Sequence, residues 1–249
     1  MPITIGFVLV ALLGACAGGA TITREEALKF GSFEVLRGQP NRQGVVFGAP
    51  HGTGDTNTGA IAKRLALELG VPAVIAHGFT KRETGDMRIN VNRPTEGAGL
   101  YFNQEARTFR AGHVWEEYRR LLLEATKGEL DLYIEFHCNE HPSTGGAIEI
   151  ATTGISYDQA QRARRLYYQA RDGVAAGRTM PKVEVKVEPV DRIYMVASGA
   201  KNHGSMALAR RAIHIEIPVP TTRLALGEGP YAKVFDVFLR DLIALLQAR

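Results

Sequence analysis

The chain has 249 residues, 45% of them hydrophobic and 22% charged, with a formal net charge of +4. That composition allows one large globular domain with a sizeable core and argues against a disordered or fibrous chain. Acidic and basic residues are mixed along it, as in AKRLALE and WEEYRR, so the excess charge reads as a solvated surface rather than a nucleic-acid footprint, and an acidic substrate is compatible with it.

The first twenty residues, MPITIGFVLVALLGACAGGA, carry no charged side chain. The apolar run from Ile3 to Ala15 is short for a bilayer span but suits the core of an export signal. It ends in LGAC, Leu13 to Cys16, which resembles a bacterial lipobox, although no Lys or Arg precedes the run. Residues 1–20 are therefore expected to be a signal peptide with possible lipid attachment at Cys16, and residues 21–249 a single domain. The expected location is the periplasm or the cell envelope, touching membrane only through that anchor. With Cys16 removed or lipidated, Cys138 stands alone, which excludes a disulfide framework.

In chain order, VVFGAP (45–50) reads as a short buried strand. TNTGAIAKRLALELG follows as a helix, with Thr or Asp near its start and Gly70 and Pro72 after its end. VPAVIAH (71–77) is a second strand, and the polar stretch from Gly78 to Gly99 reads as a long surface loop. Asn103 to Lys127 gives a helix, LDLYIEFH (130–137) a third strand and GAIEIA (146–151) a fourth. SYDQAQRARRLYYQARDGV is a polar-faced helix, and KVEVKVEPV (182–190) alternates like an edge strand. IHIEIPVP (213–220) is another strand, and an amphipathic helix runs from about Tyr231 to the end. Strand–helix alternation of this kind implies an α/β fold, three layers α/β/α, with a mixed, largely parallel sheet.

In such sheets reactive groups gather just beyond the carboxyl ends of the strands. His51 follows the first strand, His137 ends the third, and Glu216 lies within IHIEIP. Zinc in a hydrolytic site takes three protein ligands, commonly two His and one carboxylate, and His51, Asp55 and His137 supply that set. A separate carboxylate must then accept a proton from water and pass it to the leaving amine. Glu216 is the candidate, and burial in its apolar strand is expected to raise its pKa. Arg93, with Asn92 beside it, could grip a substrate carboxylate. Each residue also has a plainer explanation: Asp55 as a helix cap, His51 bracing a glycine-rich turn, His137 as a bonded strand-end histidine, Glu216 paired with Arg210 or Arg211. His141 reads as a loop histidine. The joint arrangement favours the metal.

The order of these motifs resembles the zinc carboxypeptidase clan, and most closely its N-formylglutamate amidohydrolase branch. PHGTGD matches the branch's first metal turn at His51 and Asp55, NVNR its D-x-NR pattern with Asn90 in place of Asp, YIEFH its strand-end His, and HIEIP its late-strand Glu. The resemblance spans roughly Val45 to Val219. It implies a phosphorylase/hydrolase-like fold, one zinc ion, and hydrolysis of an amide bond near a free carboxylate. The clan's further arginine corresponds to Arg82 or Arg88, with Arg82 preferred as the electrophilic stabiliser. KNHGSMA (201–207) falls where the clan lines its substrate pocket, which makes His203 a substrate-binding candidate. The segment LDLYIEFHCNEHPSTGGAIEI also resembles zinc N-acetylmuramoyl-L-alanine amidases, which would change the substrate to peptidoglycan. A third reading is a lipoprotein that keeps the pocket only to bind a ligand.

Overall fold

Residues 22–40, 42–98, 104–177, 179–227 and 229–248 are described by the computed structural model. The expected signal segment and Cys16 lie outside them. A short helix α1 (Arg24–Leu28) leads into β1 (Gly31–Leu36) and β2 (Val45–Ala49). Then come α2 (Thr58–Leu69), β3 (Ala73–Gly78), α3 (Lys81–Thr84), β4 (Arg88–Asn90), β5 (Thr95–Gly97) and β6 (Glu105–Arg107). The remainder is α4 (Phe109–Ala125), β7 (Leu132–Asn139), β8 (Ile148–Thr153), α5 (Tyr157–Ala175), β9 (Val185–Val187), α6 (Ser198–His203), β10 (Arg211–Pro218), α7 (Val219–Leu226) and α8 (Pro230–Gln247).

Seven strands form one sheet in the order β1-β3-β2-β7-β10-β8-β9. Its interior pairings β3–β2, β2–β7 and β7–β10 are parallel, as is β8–β9, whereas β1 and β8 run antiparallel to β3 and β10. The expected three-layer α/β/α class with a mixed, largely parallel sheet is what is observed. Side chains alternate across a strand, and the two faces of this sheet are different in kind. One face presents Phe47, Leu132, Ile134, Phe136, Ile150, Ile213, Ile215 and Ile217, which join the apolar sides of α2, α5, α7 and α8 in a single core. The other packs Val46, Val74, Tyr133 and Ala212 against α1 and α4. Further along that second face the apolar residues stop, and Glu135, His137, His214 and Glu216 take their places, all buried.

The structure departs from the expected elements in several places: the helix expected from Asn103 begins only at Phe109, and the edge strand expected over 182–190 is confined to Val185–Val187. The stretch after β3 is not one loop: β4, β5 and β6 form a separate antiparallel sheet, too short and polar to give a strand pattern. β1 adds an edge strand the pattern does not suggest, because its residues are only partly buried. Finally, the strand expected to run to Pro220 stops at Pro218, where α7 begins with proline in its first turn, as suits a residue lacking an amide hydrogen.

Candidate metal centre

β2 delivers His51 to the start of a turn that runs into α2. Asp55 does not cap that helix. The capping position is Asn57, in the left-handed region at φ 65° and without a side-chain capping bond. Asp55 is held by its backbone, which donates to the His51 carbonyl at 2.7 Å. Its carboxylate instead meets two imidazoles: Oδ2 stands 3.0 Å from Nδ1 of His137 and 3.4 Å from Nδ1 of His51. The glycines of this turn serve close approach rather than an unusual backbone angle. A Cβ on Gly52 would lie 2.7 Å from the Ala76 carbonyl oxygen, and one on Gly59 would lie 3.2 Å from the Gly52 Cα.

These three residues fit a metal ion. A four-coordinate zinc with bonds of about 2.0–2.1 Å sets neighbouring ligand atoms roughly 3.3 Å apart, close to the two separations around Asp55. Nε2 of His51 is buried with no hydrogen-bond partner among the described residues, and buried polar atoms are nearly always paired, so the described groups leave this imidazole unsatisfied. Burial and the nearby Arg88 push His51 down to about 3, keeping it neutral with a lone pair to give. Burial opposes a charge on His137, but Asp55 and Glu135 outweigh it and push it up to about 10. Burial likewise opposes ionisation of Asp55, yet His51 and His137 hold its carboxyl far below the usual range. Ligation would therefore release a proton from His137.

A second group, Glu135, His137 and His214, is also compact enough to be considered for an ion. Its geometry is that of a hydrogen-bonded network. Nδ1 of His214 is 2.6 Å from Oε1 of Glu135, too close for two ligands of one ion, and its Nε2 is 2.9 Å from Oε1 of Glu216. Glu135 is fully buried. Its Oε2 also accepts from the hydroxyls of Tyr133 at 2.8 Å and Ser205 at 2.7 Å, and its Oε1 from Asn92 Nδ2 at 3.4 Å. It stands 3.4 Å from Nε2 of His137, the usual place for a carboxylate that steadies a ligating histidine.

Glu216 lies directly across from His137 in the β7–β10 register. It is paired with neither Arg210 nor Arg211; Oε1 faces His214, and Oε2 accepts from Asn139 Nδ2 at 3.3 Å. Its pKa moves opposite to expectation. Burial does push it up, but the His214 hydrogen bond and the charges of His214 and His137 prevail and lower it, so the group is an ionised acceptor at neutral pH.

The arginine against the cluster is Arg88, not Arg82. Arg88 Nη2 approaches Nδ1 of His51 and Oδ1 of Asn90, each at 3.4 Å, and its Nη1 is 3.7 Å from Asp55. Arg82 sits exposed on α3. Arg93 is already engaged: Nε donates to Glu105 at 2.9 Å, Nη2 to the same carboxylate, and Nη1 to Asn92 Oδ1 at 2.9 Å. Asn92 faces inward to Glu135, so the expected substrate-carboxylate grip by this pair would require Glu105 to give way. His203, the last residue of α6, is half-buried, and burial together with Arg107 and Arg93 lowers its pKa. His141 stacks on Tyr194 with ring centroids 4.2 Å apart. A surface groove of roughly 480 Å³ between α5 and α8 lies on the opposite side of the sheet and holds none of these residues.

Glu135 and His214 join the site without having stood out in the sequence, though a signal for them exists. In LYIEFH the residue two before His137 shares its face, and in IHIEIP the residue two before Glu216 does the same.

No protein-family model and no curated protein matches this sequence. Among solved structures, a bacteriophage poly-gamma-glutamate hydrolase is similar at 12% identity, over 87% of this chain and 86% of its own, with a TM-score of 0.42. YndL in its zinc-free form aligns at 11% identity over 85% of this chain and 89% of its own, TM-score 0.49. A metallo-carboxypeptidase from Burkholderia cenocepacia aligns at 11% over 89% of this chain and 66% of its own, TM-score 0.45. Identities this low carry no residue roles from one chain to another.

Proposed function

We propose that this chain is a metal-dependent hydrolase that holds one zinc ion on His51, Asp55 and His137 and cleaves an amide bond in an N-acylated amino acid or short peptide. The observation that carries the reading is the meeting of those three ligand-type side chains with Glu216, which stands opposite His137 on the neighbouring strand. When bound, the ion supplies Lewis acidity, polarising a carbonyl oxygen and acidifying a water. Glu216 accepts the water proton at Oε2, the oxygen with the longer of its two hydrogen bonds, and returns it to the leaving nitrogen. Arg88 donates to the carbonyl oxygen as it gains negative charge. Arg88 beside the cluster, and Arg93 where Glu105 gives way, favour a substrate with a free carboxylate.

A metal assay and a substrate screen test this. Purified protein should hold one zinc per chain and melt higher with zinc added. Screening N-formyl, N-acetyl, dipeptide and muropeptide substrates separates a small acylated amino acid from peptidoglycan. Glu216→Gln should keep zinc and lose roughly 10²–10⁴-fold in kcat, whereas a pure ligand-binding protein would show no turnover to lose. Protein that neither holds zinc nor gains stability from it would end the reading.

A further inference from the structure

The two central strands carry alternating acids and histidines, Glu135-x-His137 on β7 and His214-x-Glu216 on β10. Their parallel register sets Glu135 opposite His214 and His137 opposite Glu216. The result is a two-by-two square in which each acid faces a histidine across the strands. One cross-strand pairing, His137 with Glu216, has a role in the proposed hydrolysis. The other, Glu135 with His214, is bound up in the hydrogen-bonded network behind it.

We propose that His214 is a positioning residue, which fixes the carboxylate of Glu216 while Glu135 fixes His214; this rests on the reading of Glu216 as the proton acceptor. Glu216 comes near the end of its strand, and three side-chain torsions must be held for its free oxygen to meet a water. His214 fastens Oε1 at 2.9 Å, leaving Oε2 with only the 3.3 Å bond from Asn139. His214 in turn cannot swing. Its Nδ1 is bound to Glu135 at 2.6 Å, and its ring stacks on that of His137 with centroids 4.1 Å apart and planes within 19°. Glu135 is anchored by Tyr133 and Ser205, and the Tyr133 hydroxyl meets that of Tyr118 at 2.9 Å in the α4 core. Order therefore passes from a rigid helix contact to the reacting carboxylate through four hydrogen bonds in series. Catalytic groups need placement within about 0.5 Å, and a 1 Å error costs on the order of 100-fold.

The test compares three variants with the wild type by kcat, KM and zinc per chain. His214→Phe keeps the ring and its stacking but removes both nitrogens. His214→Gln places an amide where Nε2 meets Glu216, and His214→Asn places one where Nδ1 meets Glu135. The expected result is one zinc per chain throughout, with KM nearly constant. Turnover should fall about 100-fold in the Phe variant and recover at least tenfold in Gln but not in Asn. If His214→Phe fails to fold, the Gln–Asn comparison decides, and Asn matching or exceeding Gln overturns the proposal. Wild-type turnover in His214→Phe, alongside an inactive Glu216→Gln, overturns the positioning role while leaving the hydrolase reading intact. An active Glu216→Gln removes both. A zinc content of two that falls to one in His214→Phe would make His214 a ligand and refute the proposal.

Discussion

Glu135→Gln is the most informative single change, because it keeps the size of a fully buried side chain and removes only its charge and one acceptor. Two donors face Oε2, the hydroxyls of Tyr133 and Ser205, and two face Oε1, His214 Nδ1 and Asn92 Nδ2. An amide has one oxygen, so either orientation turns its NH2 toward one of these pairs. With the oxygen kept on the hydroxyl side, the amide hydrogens point at two other donors. Each hydrogen bond to a charged acceptor is worth about 1.5–3 kcal/mol, and breaking a buried charged network costs about 3–5 kcal/mol. For a domain of this size each kcal/mol lowers the melting temperature by about 2–4 °C, so a fall on the order of 10 °C is expected. Thermal unfolding should be followed with chelator present, so that metal binding does not mask the loss. In the same variant zinc should still bind one to one, with affinity lowered about 10–100-fold through the weaker support of His137. A metal-free protein that melts like the wild type would refute the account of Glu135 as the centre of the network. Complete loss of stoichiometric zinc would make it a ligand.

Two further perturbations probe the floor and the rim of the site. A Cβ on Gly48 would fall 2.3 Å from the Tyr133 hydroxyl and 2.6 Å from that of Tyr118, so Gly48→Ala must push these rings by about 1 Å. It should cost about 1–3 kcal/mol, with part of the loss relieved when both tyrosines are replaced by Phe; strictly additive effects in that comparison would show the clash is not the cause. Arg88→Ala should lower kcat by about 10² and do so by a much larger factor than Arg82→Ala, and equal effects in steady-state kinetics would dissociate the 3.4 Å approach to His51 from function.

The layered fold is legible in the sequence because its central strands are pure in pattern. VVFGA, LYIEF and IHIEI are apolar at every second position, and the position of His51, His137 and Glu216 at or near the carboxyl ends of these runs is enough to gather them on one edge of the sheet. What stays hidden depends on tertiary company. Arg82 and Arg88 look alike in sequence, and only the small β4–β5–β6 sheet turns one inward. Burial alone argues for a raised pKa at Glu216; the opposite shift comes from His214, whose ring enters the same pocket. Arg93 reads as free to bind substrate because nothing local shows that Glu105, twelve residues on, returns to meet it.

The alternating square on β7 and β10 also bears on how the sheet assembles. Sliding one strand by a single residue would turn its isoleucines toward the polar layer, which apolar burial forbids. Sliding by two restores the faces, and in most sheets little else would resist it. Here one such slip sets Glu135 against Glu216, two carboxylates side by side, and the other sets Glu135 against Ala212 and His137 against His214. Hydrophobicity rejects the odd errors, and like charge rejects the even one that sets Glu135 against Glu216. The groups that would do the chemistry thus act as a proofreading code for the central pairing, so a charge-neutralising change at Glu135 or Glu216 removes a guard against misalignment during folding.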